Sequence, residues 1–310
     1  MNKIFMNAVW ITPDKNIGSA SPVITKRFNI ENKTPGAALY ITGLGFFEAR
    51  LNGKKLGNEY FQPVASDYGK RNLETLTYPC HDSFTHRIYY NRYDISEYLN
   101  EGGNTLEVQP GGGWYVQTER IAEETKDGEL DFGSTGAHYT CSSGKKQIMT
   151  DTFVCDGERR VFEPKFVWHA FRYFDVEGEI ESCEVLVIHS DVSVTSTFGS
   201  DSEGMNFLYD AYVRTELDNM HGSFPSDCPH RERLGYTGDG QVTAQAAMLT
   251  LGSKEFYRKW IRDILDCQDK KSGHVQHTAP FMGGGGGPGG WGSAIVIVPY
   301  RYWKNFGDTD

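Results

Sequence analysis

The feature that most limits how this chain can fold is a change of period near Ser200. Ahead of it, short apolar or alternating runs are separated by glycine-rich turns: AALYITG (37–43), FFEARLNGKKLG (46–57), RIYYNRYDI (87–95), NTLEVQ (104–109), KFVWHAFRYFDVEG (165–178) and CEVLVIHSDV (183–192). Side chains alternate faces along a strand, so a period of two interrupted by turns predicts antiparallel sandwiches and not βαβ units. Asn52-Gly53, the dipeptide best suited to a tight hairpin, follows one of these runs. Beyond Ser200 the period becomes helical. In SEGMNFLYDAYVRTELDNM (202–220), Ser202 is the expected N-cap, and Met205, Leu208 and Tyr212 recur at helix spacing. QVTAQAAMLTL (241–251) reads as a small-residue helix with Asp239 or Gly240 near its start. KEFYRKWIRDILDCQ (254–268) places Phe256, Trp260, Ile261, Ile264 and Leu265 on one face. SAIVIVPYRYWKNFG (293–307) is a fourth helix, kinked or started late by Pro299. The expected organisation is therefore a β-sandwich over 1–155, strands over 156–199, and a helical layer over 200–310.

A chain of 310 residues exceeds one ordinary domain, which agrees with that division. The formal charge of −10 argues against nucleic acid and anionic membrane, both of which reward clustered Lys and Arg. No segment approaches the ~20 apolar residues of a membrane span, and the start lacks the apolar run of a signal peptide, so a cytoplasmic location is expected. The six cysteines lie at 80, 141, 155, 183, 228 and 267 without CxxC spacing, and reduced thiols are the simplest reading. His221, His230, His274 and His277 fit no common zinc pattern, so neither metal nor cofactor is expected. The glycine-rich 282–292 stretch lacks the GK[ST] of a phosphate loop and reads as a flexible site loop. Aromatics at 13 % suit a carbohydrate surface, but suit a β-rich core better.

The densest chemistry lies in SDCPHRERLGYTGDGQ (226–241). Pro229, Gly235 and Gly238 make this a loop between two helices, and loops on a rigid scaffold are where binding groups concentrate. Asp227, Arg231, Glu232, Arg233 and Asp239 crowd into it. The arginines beside Glu232 favour its ionised form, whereas burial or the two aspartates favour the proton that a general acid must carry. From charge alone, catalysis and structural ion pairing both stand.

The motif DCPHRERLGYTGDGQ resembles the signature of the bacterial α-L-rhamnosidases, the inverting enzymes of glycoside hydrolase family 78. Here it is shorter by one residue between Arg231 and Glu232, with Tyr236 where the family usually has Trp. GFFEARLNGKKLG, PGGGWY (110–115), EPKFVWHAFRYFDVEG, FGSDSEGMNFLYDAYVRTELDN and GGPGGWGSAIVIVPY (286–300) resemble successive parts of the same family, in order. The resemblance implies N-terminal antiparallel β-sandwich domains followed by the first part of an (α/α)6 barrel. It implies that Glu232 is the general acid, and that Asp227, Arg231 and Asp239 hold sugar hydroxyls. Tyr236 and Trp291 would pack against the sugar face and its C6 methyl. Ser293 replaces an Asp that the family often has. The partner implied is a rhamnose-containing glycoside or polysaccharide. Inversion also needs a general base, which the family carries far downstream, so the resemblance implies a truncated barrel and impaired hydrolysis. Asp201, Glu216 and Asp218 are the stand-ins within the chain. A non-catalytic sugar-binding fragment, or a barrel glycosidase of other specificity, is the alternative.

Overall fold

In the computed structural model, which describes residues 5, 7–12, 21–70, 72–74, 80–113, 115, 123–124, 130–131, 151–229, 233–282 and 289–309, the early runs become strands. They are β1 (Ile24–Ile30), β2 (Ala38–Ile41), β3 (Phe46–Leu51), β4 (Lys54–Lys55), β5 (Asn91–Asp94) and β6 (Gly102–Gly111). One antiparallel sheet has the order β1-β6-β3-β4, with Ile24 opposite Val108 and Phe46 opposite Gly111. A second pairs β2 with β5, setting Ala38 against Asp94. The sheets close on a core built from Phe47, Ala49 and Leu51 of β3, Leu56 and Leu99. Leu39 and Ile41 of β2, Tyr93 of β5 and Leu106 of β6 pack against it.

The β3–β4 hairpin turns on Asn52 and Gly53, both with positive φ (52° and 79°), as a two-residue turn matched to strand twist requires. The Asn52 side chain secures it: Nδ2 donates to Tyr98 O (2.9 Å) and Asn104 Oδ1 (2.8 Å), and Oδ1 accepts from Thr105 N (2.9 Å). The alternation in β3 explains why two adjacent phenylalanines are both buried. Phe47 enters the sandwich core, and Phe46, on the opposite face, enters the core shared with the helices.

The helical part holds α1 (Glu203–Asp218), α2 (Thr237–Thr250), α3 (Lys254–Asp266) and α4 (Ala294–Phe306). Ser202 Oγ accepts from Met205 N at 3.4 Å as the α1 N-cap. Its apolar face differs from the expected one. Met205, Phe207 and Leu208 are exposed, and α1 instead turns Val213, Glu216 and Leu217 inward. α3 buries Phe256, Trp260 and Ile264 as expected, adds Tyr257, and leaves Leu265 exposed. α4 runs through Pro299 and ends at Gly307, whose φ of 63° and N–H bond to Trp303 O form the left-handed C-terminal stop.

The strands expected at 165–178 and 183–192 do not form. The stretch 151–202 carries one isolated bridge, Val194 with Leu251, and much of it is exposed, Tyr173 at 88 %. Alternation supplies an apolar side but not a hydrogen-bonding neighbour, and a ladder needs the neighbour.

The two parts are tied along α3 and the segment 65–87. Arg87 Nε and Nη2 grip Asp266, the latter at 3.1 Å to Oδ1. Thr85 N donates to Asp266 O (3.0 Å), and Lys259 Nζ donates to Ala65 O (2.6 Å). Phe84 meets Phe281 edge-on, with centroids 5.4 Å apart.

Candidate active site

The charged stretch folds as a closed bend between α1 and α2. It hangs from the small hairpin Met220–His221 with Phe224–Pro225. Its two legs are laced together: Asp227 N donates to Leu234 O (3.1 Å), Leu234 N to Asp227 Oδ1 (3.2 Å), and Arg233 N to Cys228 O (3.2 Å). Ser226 N donates to Asn219 O (2.8 Å) behind them. Asp227, expected to face the sugar, thus also closes the bend. Its Oδ2 accepts the Cys228 thiol at 2.9 Å, so that cysteine serves the turn. Arg231 and Glu232, with His230, lie outside the described residues, as does most of the glycine-rich loop before Trp291.

Arg233 does not share the solvated character its charge suggests. It is 3 % exposed, with a φ of 54°. Nε donates to Pro229 O (3.0 Å), and the guanidinium lies 5.0 Å from the Trp168 ring centroid.

Beyond the bend, the chain enters α2 earlier than expected. Tyr236 is the N-cap, Gly238 lies inside the first turn instead of in a loop, and Gly240 follows it in the helix. Packing explains both glycines. A Cβ at Gly238 would sit 2.4 Å from the Trp291 indole, and one at Gly240 would sit 2.3 Å from the Trp260 ring. The α2 start is pinned by a passing strap: Thr237 N donates to His277 O (2.8 Å), Ala279 N donates to Gly235 O (2.9 Å), and Tyr236 bridges Thr278. The strap is held in turn by Trp260 Nε1, which donates to Ala279 O at 2.9 Å.

Three expected ligands therefore gather around one helix start. Tyr236 caps α2, Asp239 is exposed in its first turn, and Trp291 lies against Gly238, 42 % exposed. Asp239 there is also favoured by the positive end of the helix dipole. Gln241 fastens the other side: Nε2 donates to Gly290 O (2.6 Å), and Oε1 accepts from Ser293 Oγ (2.8 Å). The serine that stands in the family's aspartate position thus organises the turn carrying Trp291.

His277, dismissed from spacing as no metal ligand, has its ring 5.4 Å from the Trp291 indole at 34°. No local pattern marked it, because it reaches the site through strap pairing alone. Among the described residues, no group of His, Cys, Asp and Glu could hold a metal ion.

Burial sets two proton affinities nearby. His221 is held down to about 4 by desolvation, with Nε2 donating to Ile188 O at 2.8 Å. Glu216 is pushed up by burial, and Thr243 and Tyr212 bond its carboxyl.

Two family models match the chain. The α-L-rhamnosidase N-terminal domain matches residues 32–152, and the bacterial α-L-rhamnosidase 6 hairpin glycosidase domain matches residues 193–310. An α-L-rhamnosidase of Streptomyces avermitilis is 34 % identical over 94 % of this chain and 40 % of its own length. One from Formosa agariphila is 21 % identical over 94 % of the chain and 45 % of its own length. The chain thus spans less than half of either relative. Among solved structures, an α-L-rhamnosidase from Streptomyces avermitilis in complex with L-rhamnose superposes with a TM-score of 0.73 at 22 % identity, over 94 % of this chain and 40 % of that one. The native enzyme from Aspergillus terreus gives 0.71 at 21 %, over 96 % and 49 %.

Proposed function

The chain belongs to the bacterial α-L-rhamnosidase family, and from that premise we propose that its charged bend grips a terminal α-L-rhamnosyl residue and supplies the acid that releases it. One observation supports the reading most. The bend that carries the acidic motif closes beside a helix start where Tyr236, Asp239 and Trp291 converge. Aromatic faces there suit the C–H-rich side of a deoxy sugar and its C6 methyl, and carboxylates suit its hydroxyls. Asp227 and Arg231 complete the polar grip. Glu232 protonates the glycosidic oxygen as the bond to the anomeric carbon breaks, and the reaction needs no cofactor.

Inversion requires a second carboxylate roughly 6.5–9.5 Å from the acid, so that a water fits between them. Two stand-ins are poorly suited. Glu216 is buried with its proton favoured, and Asp218 pairs with Arg214 at 3.5 Å. Glu216 and Asp218 are therefore expected to contribute little as the base, and sugar binding does not depend on them.

The test pairs p-nitrophenyl α-L-rhamnoside hydrolysis with calorimetric titration of L-rhamnose. Glu232→Gln is expected to cut any turnover by roughly 10²–10⁴-fold while binding persists. Binding without turnover at any pH would favour a sugar-binding role, and absence of both would overturn the proposal.

A further inference from the structure

Four aromatic rings and one guanidinium connect the β-sandwich to the charged bend. Phe46 of β3 lies 5.4 Å from Phe61, and Phe61 meets Trp168 edge-on at 4.9 Å. Trp168 stacks on His221 at 5.0 Å with planes only 12° apart, and Arg233 lies over its ring at 5.0 Å. His221 sits on the hairpin that enters the bend, and Arg233 on the leg that leaves it. A single indole therefore touches both the hairpin that leads into the bend and the leg that leaves it.

The indole is itself well seated. Phe47 N donates to Gln62 O at 2.7 Å, fixing the segment beside Phe61 to the edge of β3. Phe166, two residues before Trp168, occupies space that only a glycine at 111 leaves open, since a Cβ there would lie 2.2 Å from its ring. Both partners of Trp168 at the bend are buried. His221 is 8 % exposed and Arg233 is 3 % exposed. Ring and cation contacts gain strength when water is excluded.

We propose that Trp168 is a positioning residue: it transmits the rigidity of the sandwich to the bend and holds the leg that leaves it against the hairpin that enters it, at the spacing the sugar site needs. The β part then acts on the site mechanically, through one ring. The link to sugar binding rests on the rhamnoside reading of the bend; the mechanical role does not.

The experiment is hydrogen–deuterium exchange of the full chain, followed at the amides of 226–236 and paired with titration of L-rhamnose. Trp168→Leu is expected to speed exchange at the Asp227 and Leu234 amides about tenfold, and to weaken rhamnose binding by a similar factor. Trp168→Phe keeps a ring in place and is expected to restore most of both. Phe84→Leu removes a ring pair elsewhere in the same core; it is expected to lower the melting temperature without moving those amides. Arg233→Lys keeps the charge but loses the plane that lies on the indole. It is expected to fall between, and it decides the matter if Trp168→Leu does not fold. Unchanged exchange at 226–236 in Trp168→Leu, or in Arg233→Lys where that variant decides, overturns the positioning role. Exchange that responds while the wild-type chain binds no rhamnose upholds the mechanical role and overturns the sugar-site reading.

Discussion

Gly238 and Gly240 occupy the same helical turn, yet substitution should have different consequences at each. Alanine gains ~1 kcal/mol of helix propensity at either position. At Gly240 the new methyl would meet Trp260, which is fully buried with its N–H committed to Ala279 O, so nothing can yield. Gly240→Ala is expected to cost a net ~1–3 kcal/mol in denaturant unfolding. At Gly238 the methyl would meet the half-exposed Trp291, which can swing away. Gly238→Ala should leave stability near wild type, shift the indole emission and weaken rhamnose binding. The buried titratable groups pull in opposite directions with pH. The depressed His221 contributes stability that is complete above about pH 6.5 and is lost as pH falls towards 4, up to about 3 kcal/mol. His221→Phe, which keeps a ring on Trp168, should flatten the melting profile in that window. Glu216, pushed up by burial, favours the folded state only while protonated, so its contribution is present at low pH and lost as pH rises through its folded value. Glu216→Gln should therefore raise the melting temperature at pH 7, with the gain vanishing below about pH 4.3.

Helix α3 is the element that joins the two halves, and its energetics centre on a buried ion pair. Lys259 Nζ lies 2.6 Å from Asp263 Oδ2, and burial pushes the Lys259 ammonium down and Asp263 up to about 7. Removing only the lysine strands the carboxylate and the Ala65 carbonyl, so Lys259→Met is expected to cost ~3–5 kcal/mol in urea unfolding. Lys259→Met with Asp263→Leu should recover most of that loss, since a well-packed apolar pair replaces two desolvated charges. The α3 core face was legible because Phe256, Trp260 and Ile264 repeat at helix spacing with charges between them. The Asn52-Gly53 hairpin was legible because few residues tolerate two consecutive positive φ angles. Elsewhere the sequence pattern named the wrong cause. Gly238 read as a turn residue, yet its missing side chain makes room for an indole 53 residues away. Alternation at 165–192 read as strand, but no local pattern reports whether a neighbouring strand arrives. Around the bend, the family resemblance named Asp239 and Trp291, while the places of His277 and Trp168 depend on contacts that sequence proximity does not encode.

On the scale of the whole molecule, apolar surface is distributed unevenly. Phe207 and Leu208 of α1, Val242 and Leu249 of α2, and Val296 and Trp303 of α4 are exposed, Phe207 at 69 %. Outward apolar residues on three helices amount to more than isolated exposed side chains. The chain is expected to bind a hydrophobic dye strongly and to associate as concentration rises, by sedimentation velocity. Val296→Lys with Trp303→Lys should reduce both without altering α3 or the bend. The β3–β4 turn has a further consequence, one of chemical lifetime. An Asn-Gly sequence ages by attack of the glycine nitrogen on the asparagine side-chain carbonyl, with loss of ammonia. In Asn52 that carbonyl oxygen is already held by Thr105 N, and its amide nitrogen is held by Tyr98 and Asn104. The folded molecule thus shelters the labile Asn52 side-chain amide, and peptide mapping of stored samples should find this site intact until the sandwich opens.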